Sequence, residues 1–234
     1  KCWLMAARET ITIIGSPLEA WLAACIMARF TPLQGTSLQV LETGSDTRAS
    51  DPPVARPEMS RTHVSIGLDP KKLGAKPVQT WAAAPRGALP FGEFGMPLNG
   101  VSFVSIWHRA RQELGETRPL EAFASHQSAK AFELEPNRYA AALKAIGTRV
   151  GVQTCSTPVG RIICADAAYE TDRTDAIIKI GASAFPLRSS ATLRLQALHE
   201  SVLALIACLP WRDADRALAT QEYENRLQAM CRSV

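Results

Sequence analysis

The hydrophobic pattern changes period twice within the first forty residues. Ile11-Thr12-Ile13-Ile14 is a short β-branched run ending at Gly15, and it predicts a buried strand. From Leu18 to Phe30 the pattern turns helical, rich in alanine with Trp21, Leu22, Cys25, Ile26 and Met27. Pro17 suits a first helical turn, where no intrahelical N–H is needed, and Pro32 and Gly35 close the helix. Ser37 to Leu41 predicts a second strand that runs into Glu42. Such a β-α-β unit implies a right-handed crossover and a parallel strand pair.

Residues 44–60 are rich in Pro, Ser and charge and predict a long flexible loop. Val78 to Ala83 is a candidate strand, and Pro85 to Gly100 is a Gly/Pro-rich connection. Three helices are expected next. The first, 102–114, carries Phe103, Ile106, Trp107, Ala110 and Leu114 on one stripe; the second spans 119–132; the third, 138–147, places Tyr139, Leu143 and Ile146 on one face. A β-rich segment over 150–180 precedes two C-terminal helices within 190–231. The first of these, 190–208, is apolar almost all round and is expected to be fully buried, whereas 212–231 is more polar. The alternation predicts an α/β fold: a Rossmann-like core of parallel sheet and helices, a small β-rich segment and C-terminal helices, in a single domain.

With 234 residues, 47% of them hydrophobic, the chain can bury a substantial core. No run approaches the roughly 20 apolar residues of a membrane-spanning helix. Trp3-Leu4-Met5-Ala6-Ala7 is shorter than the apolar part of a signal peptide and is closed by Arg8-Glu9. The expectation is a cytoplasmic protein without a membrane partner. The net charge is +4 and the basic residues are scattered, so no nucleic-acid footprint stands out. None of the six cysteines forms a C-x-x-C, and only Cys155 and Cys164 are placed to meet, across a hairpin. The histidines show no zinc spacing, so no metal site is expected, and His108 and His126 read as structural.

The candidate chemistry lies at the first strand-to-helix turn. A dinucleotide fold reads G-x-G-x-x-G there, with an acid after the second strand. Here the turn reads Gly15-Ser16-Pro17-Leu18-Glu19-Ala20, followed by helix, strand and Glu42. Gly15, Ser16, Ala20 and Glu42 are thus the candidate cofactor-binding positions. Pro17 replaces the glycine that lets the backbone approach a pyrophosphate and deletes an N–H donor. Glu19 adds a negative charge to the first turn, which suits the helix dipole and repels a phosphate. A loose nucleophile-elbow pattern, Gly181-Ala182-Ser183-Ala184-Phe185, lacks its last glycine, and His199 precedes any downstream Asp.

Gly15 to Trp21 resembles the opening of the flavin-dependent tryptophan halogenases, in which a tryptophan follows the last glycine. Two further blocks are similar to that family: Pro90-Phe91-Gly92-Glu93-Phe94-Gly95-Met96-Pro97-Leu98-Asn99-Gly100 with Trp107 and His108 a helix later, and the run Ile180 to Thr192, which opens with Gly181. The resemblance implies FAD held by the Rossmann-like core, with Gly181 among its contacts. It also implies reduced flavin, O₂ and halide forming hypohalous acid, and a lysine and a glutamate delivering the halogen. The lysine's nearest counterpart is Lys76, and the hydroxyl pair near the flavin falls on Ser190 and Ala191. The glutamate falls on Arg188, a charge reversal, and the G-W-x-W-x-I-P motif has no counterpart, since Trp81 and Trp211 stand in other contexts. The chain is also shorter than family members and leaves little room for a substrate-binding portion between 147 and Gly181.

These losses predict a degenerate, non-catalytic member, with FAD binding weakened or lost, that associates with a full-length halogenase-like paralogue or with itself. The alternative is an active FAD-dependent halogenase or monooxygenase with Lys76 and Ser190 at the flavin.

Overall fold

A computed structural model describes residues 9–31, 36–44, 52–56, 59–79, 109–115, 117, 130–167, 169, 177–185, 191–208 and 216–231. The chain divides into two compact units. One comprises Lys1–Ala55, Met59–Lys76 and Phe132–Val234; the other comprises Arg56–Glu58 and Pro77–Ala131.

The larger unit is built on a five-stranded parallel sheet. Strand β1 (Glu9–Gly15) leads into helix α1 (Pro17–Phe30) and strand β2 (Thr36–Glu42), as the periodicity predicts. β1 and β2 are parallel and in register from Glu9↔Thr36 to Gly15↔Glu42. The short strand β3 (Val54–Ala55) falls within the expected 44–60 loop and pairs antiparallel with Phe132 and Glu133 of strand β5 (Lys130–Glu133). Helix α2 (Ser60–Ile66) and a 3₁₀ turn (Pro70–Leu73) follow β3 and have no counterpart in the sequence reading. Helix α3 (Pro136–Arg149) buries Tyr139, Leu143 and Gly147 along one face.

The stretch 150–180 supplies the remaining strands of the parallel sheet. Strands β6 (Gln153–Thr154), β7 (Arg161–Cys164) and β8 (Ile177–Lys179) complete the order β6-β2-β1-β7-β8. β6 and β7 therefore lie on opposite sides of the β2–β1 pair, so the expected hairpin between Cys155 and Cys164 does not form; both thiols are free. Helix α4 (Ala191–Ala207) and helix α5 (Arg216–Cys231) close the unit. α4 buries one face, through Leu195, Leu198, Val202 and Leu205, while Leu193 is exposed, so it is not buried all round.

Of the smaller unit, the described residues hold most of strand β4 (Lys76–Gln79), the start of β5 and a helical segment at 109–113. Leu114, at the end of the apolar stripe read over 102–114, is 81% exposed. The helix expected over 119–132 gives way to β5 from Lys130 onward; its earlier residues lie outside the described ones.

α1 is the core of the larger unit. Every residue from Glu19 to Met27 is buried, because the helix packs on β1 and β2 and also against α3 and α4. A helix covered on so many sides needs apolar residues all round, which explains the alanine-rich pattern. Strand alternation divides the sheet's faces. Ile11, Ile13 and Ile163 join the α1 cluster, whereas Ile14, Ile162 and Cys164 form a smaller cluster with Leu41, Tyr169 and Ile177.

Candidate functional site

β1 sits where the strand order reverses, with β2 on one side and β7 on the other. In open α/β sheets ligands bind beyond the carboxyl ends of the strands at such a switch point. That end brings together Gly15, Ser16, Ala20 and Glu42, four of the five candidate cofactor-binding positions. Gly181, the fifth, opens a 3₁₀ turn (Gly181–Ser183) just after β8.

The glycines are explained by packing within the chain. A Cβ on Gly15 would stand 3.0 Å from the Cβ of Ala165, which follows β7. Gly181 has φ +53°, donates its N–H to Ser201 Oγ at 2.9 Å, and leaves only 3.0 Å between an added Cβ and Leu198 Cδ1. Both positions exclude a side chain for reasons that involve no ligand.

The turn itself is a helix cap. Ser16 is the N-cap of α1 and accepts a hydrogen bond from the Glu19 N–H at 3.4 Å, while its hydroxyl donates to Glu19 Oε2 at 3.0 Å. Ser16-Pro17-Leu18-Glu19 has the S-x-x-E spacing of a capping box, a signal legible in the sequence but overlooked when the turn is read only against the glycine motif. Ala20 makes the first intrahelical bond, from its N–H to Ser16 O at 2.9 Å. The Glu19 carboxylate is 7% exposed, and its Oε1 accepts from Arg194 Nη2 of α4 at 2.9 Å. Nothing in the local sequence points to Arg194, which lies 175 residues away.

The second acid is also engaged. Trp21 donates Nε1–H to Glu42 Oε1 at 2.7 Å, and Lys144 Nζ of α3 reaches the same oxygen at 2.7 Å. These two donors, Lys144 first, hold the Glu42 carboxyl below the usual carboxylate range. Lys144 Nζ also lies 5.7 Å from the Trp21 ring centroid, within cation–π range.

Other chemistry-bearing groups serve the interior. Ser183 Oγ donates to the Cys164 carbonyl at 2.5 Å and lies 3.1 Å from that of Ile180. His199, weighed as a base for Ser183, has its Nε2 2.7 Å from Thr62 Oγ1 of α2. His63 Nε2 lies 2.7 Å from the Tyr139 hydroxyl, and burial, aided by nearby His199, lowers its pKa to about 4. Burial likewise pushes the Cys25 thiol up to about 12. Among the described residues, no three His, Cys, Asp or Glu side chains gather as a metal site, and no helix is long and apolar enough to cross a membrane.

Lys76 is exposed at the start of β4. Ser190, Arg188, Trp81, Trp211, Trp107, His108, His126 and the Pro90–Gly100 block lie outside the described residues. Ala191 is the buried first residue of α4.

A dinucleotide pyrophosphate needs backbone N–H groups at the α1 N-terminus and a site free of negative charge. Pro17 brings no N–H, and the buried Glu19 carboxylate already stands in the first turn. The residues at this turn do not fit the pyrophosphate of FAD.

No protein-family model and no curated protein matches this sequence. Solved structures do. BrvH, a flavin-dependent halogenase from Brevundimonas sp. BAL3, aligns over 96% of this chain and 76% of its own at 11% identity, with a TM-score of 0.59. A tryptophan 6-halogenase, SttH, from Streptomyces toxytricini aligns over 94% and 76% at 12% identity, with a TM-score of 0.52. A tryptophan halogenase from Shewanella frigidimarina gives 0.44 at 14% identity, over 83% of this chain and 46% of its own. At these identities the likeness is one of architecture: the chain has the fold of the flavin-dependent halogenases.

Proposed function

We propose that this chain is a non-catalytic protein on the halogenase fold, in which tight FAD binding is lost. The observation that carries the reading is the first strand-to-helix turn, where a serine N-cap bonded to a buried carboxylate stands in place of a phosphate cradle. Oε1 of Glu42, the acid placed to hold a ribose, serves Trp21 and Lys144. The role left for such a scaffold is association, with a full-length halogenase-like flavoprotein or with a second copy of itself. The reversal at Arg188 and the missing G-W-x-W-x-I-P motif support the same reading.

A flavin titration of the purified chain, paired with native mass of the protein isolated from its source, tests it. The expected result is a colourless protein that neither quenches FAD fluorescence nor gains thermal stability from it, and that migrates with an additional chain. Flavin bound at one equivalent overturns the loss of FAD binding and favours the active flavoenzyme with Lys76 and Ser190 at the flavin. A monomer with no stable partner overturns the association.

A further inference from the structure

We infer that the Glu19 carboxylate is a resident anion that takes the place of a phosphate at the α1 N-terminus, with Arg194 as its fixed counter-cation. The inference rests on the reading above and names the physical device behind it.

Three observations converge on one carboxylate. Oε2 accepts from the N-cap hydroxyl of Ser16 at 3.0 Å, so one oxygen faces the start of the helix. Oε1 accepts from Arg194 Nη2 at 2.9 Å, so the other faces a guanidinium on a helix distant in sequence. Both charged side chains are largely removed from water, at 7% exposed for Glu19 and 15% for Arg194. A helix N-terminus carries roughly half a positive charge and favours an anion beside it. A guanidinium offers the forked donors that match carboxylate and phosphate alike. Together they form an environment suited to an oxyanion, and the chain supplies that oxyanion itself. An incoming phosphate would have to displace a covalently tethered competitor at very high effective concentration.

The substitution Glu19→Ala removes the tethered anion and leaves Arg194 and Ser16 in place. Glu19→Gln removes the charge while keeping the side-chain volume. The probe is inorganic phosphate, compared with sodium chloride at matched ionic strength, and the readout is the thermal midpoint of the full chain. The wild-type midpoint is expected to rise in phosphate only by the small general stabilisation this salt gives any folded chain, and the variants are read against that baseline. E19A or E19Q is expected to gain at least about 3 °C in phosphate, by linkage to anion binding. The double variant E19A/R194M is expected to lose that gain. A phosphate shift in the wild type equal to that of the variants overturns the inference, as does the absence of a shift in both variants. Either outcome is separable from FAD binding by the wild-type chain, which the flavin titration reads directly.

Discussion

Trp21 and Glu42 are joined by a 2.7 Å hydrogen bond from the indole N–H to Oε1, which ties α1 to the carboxyl end of β2. Lys144 completes the cluster from α3 but is 48% exposed at its side chain, whereas Trp21 is fully buried. The two donors should therefore differ sharply in worth. K144A is expected to cost at most about 1 kcal/mol, as exposed ion pairs do. W21A should cost about 3–5 kcal/mol, as large aromatic truncations do in cores. Urea unfolding of both variants measures this. Because Lys144 is the leading cause of the lowered Glu42 pKa, K144A should also raise it towards the ordinary carboxylate value. The stability linked to Glu42 is present above the unfolded carboxylate pKa and is lost as pH falls through the lower folded value. NMR titration of the Glu42 side chain in wild type and K144A checks the direction.

The Glu19–Arg194 pair predicts strong non-additivity. Either single truncation breaks a buried ion pair from one side, which costs about 3–5 kcal/mol. E19A/R194M removes both charges and should cost clearly less than the sum of the singles. A double-mutant cycle by denaturant unfolding reads the coupling, and simple additivity would count against a direct pair.

His63 predicts acid lability. It is 3% exposed, packs edge-on to the Tyr139 ring and is near enough to His199 of α4 to feel its charge. Its folded pKa lies near 4, below the ordinary 6.5, so the unfolded chain takes up the proton first. The His63 contribution is complete above pH 6.5 and is lost progressively as pH falls towards 4. The full loss is about 3 kcal/mol, from 1.36 kcal/mol per pKa unit. Unfolding free energy measured across that window should fall in the wild type and be distinctly flatter in H63Q.

Gly147 predicts an overpacking cost. A Cβ there would stand 2.7 Å from Trp21 Cζ3 and 2.8 Å from its Cε3, and the buried indole has no free end to swing away. Alanine is ordinarily the better helix former, by roughly 1 kcal/mol. Here G147A should instead destabilise the chain by about 1–3 kcal/mol. A raised melting point for G147A would show that Trp21 can shift.

Much of the framework was legible because its periodicities are local. Ile11 to Ile14 ends at a glycine, the alanine-rich helix needs burial on every side, and the Tyr139–Leu143 stripe recurs at helical spacing. Each constrains its own element without reference to distant chain. The 150–180 strands were legible as strands, but not as members of the main sheet. Alternation specifies a strand and leaves its neighbour open, and β6 and β7 separate to opposite sides of β1 and β2. The short β3 and α2 were missed because so few residues carry too little pattern.

At the candidate site the sequence alone determined which groups are present: no N–H at Pro17, a carboxylate at Glu19, an acid at Glu42 and small residues at Gly15 and Ala20. It also contained the S-x-x-E cap. Only the tertiary structure decided what those groups do. Arg194 reaches Glu19 from 175 residues away, and Lys144 reaches Glu42 from another helix. The reason is physical: a charge's effect depends on the distance and burial of its partner, and the packing of α3 and α4 around α1 sets both.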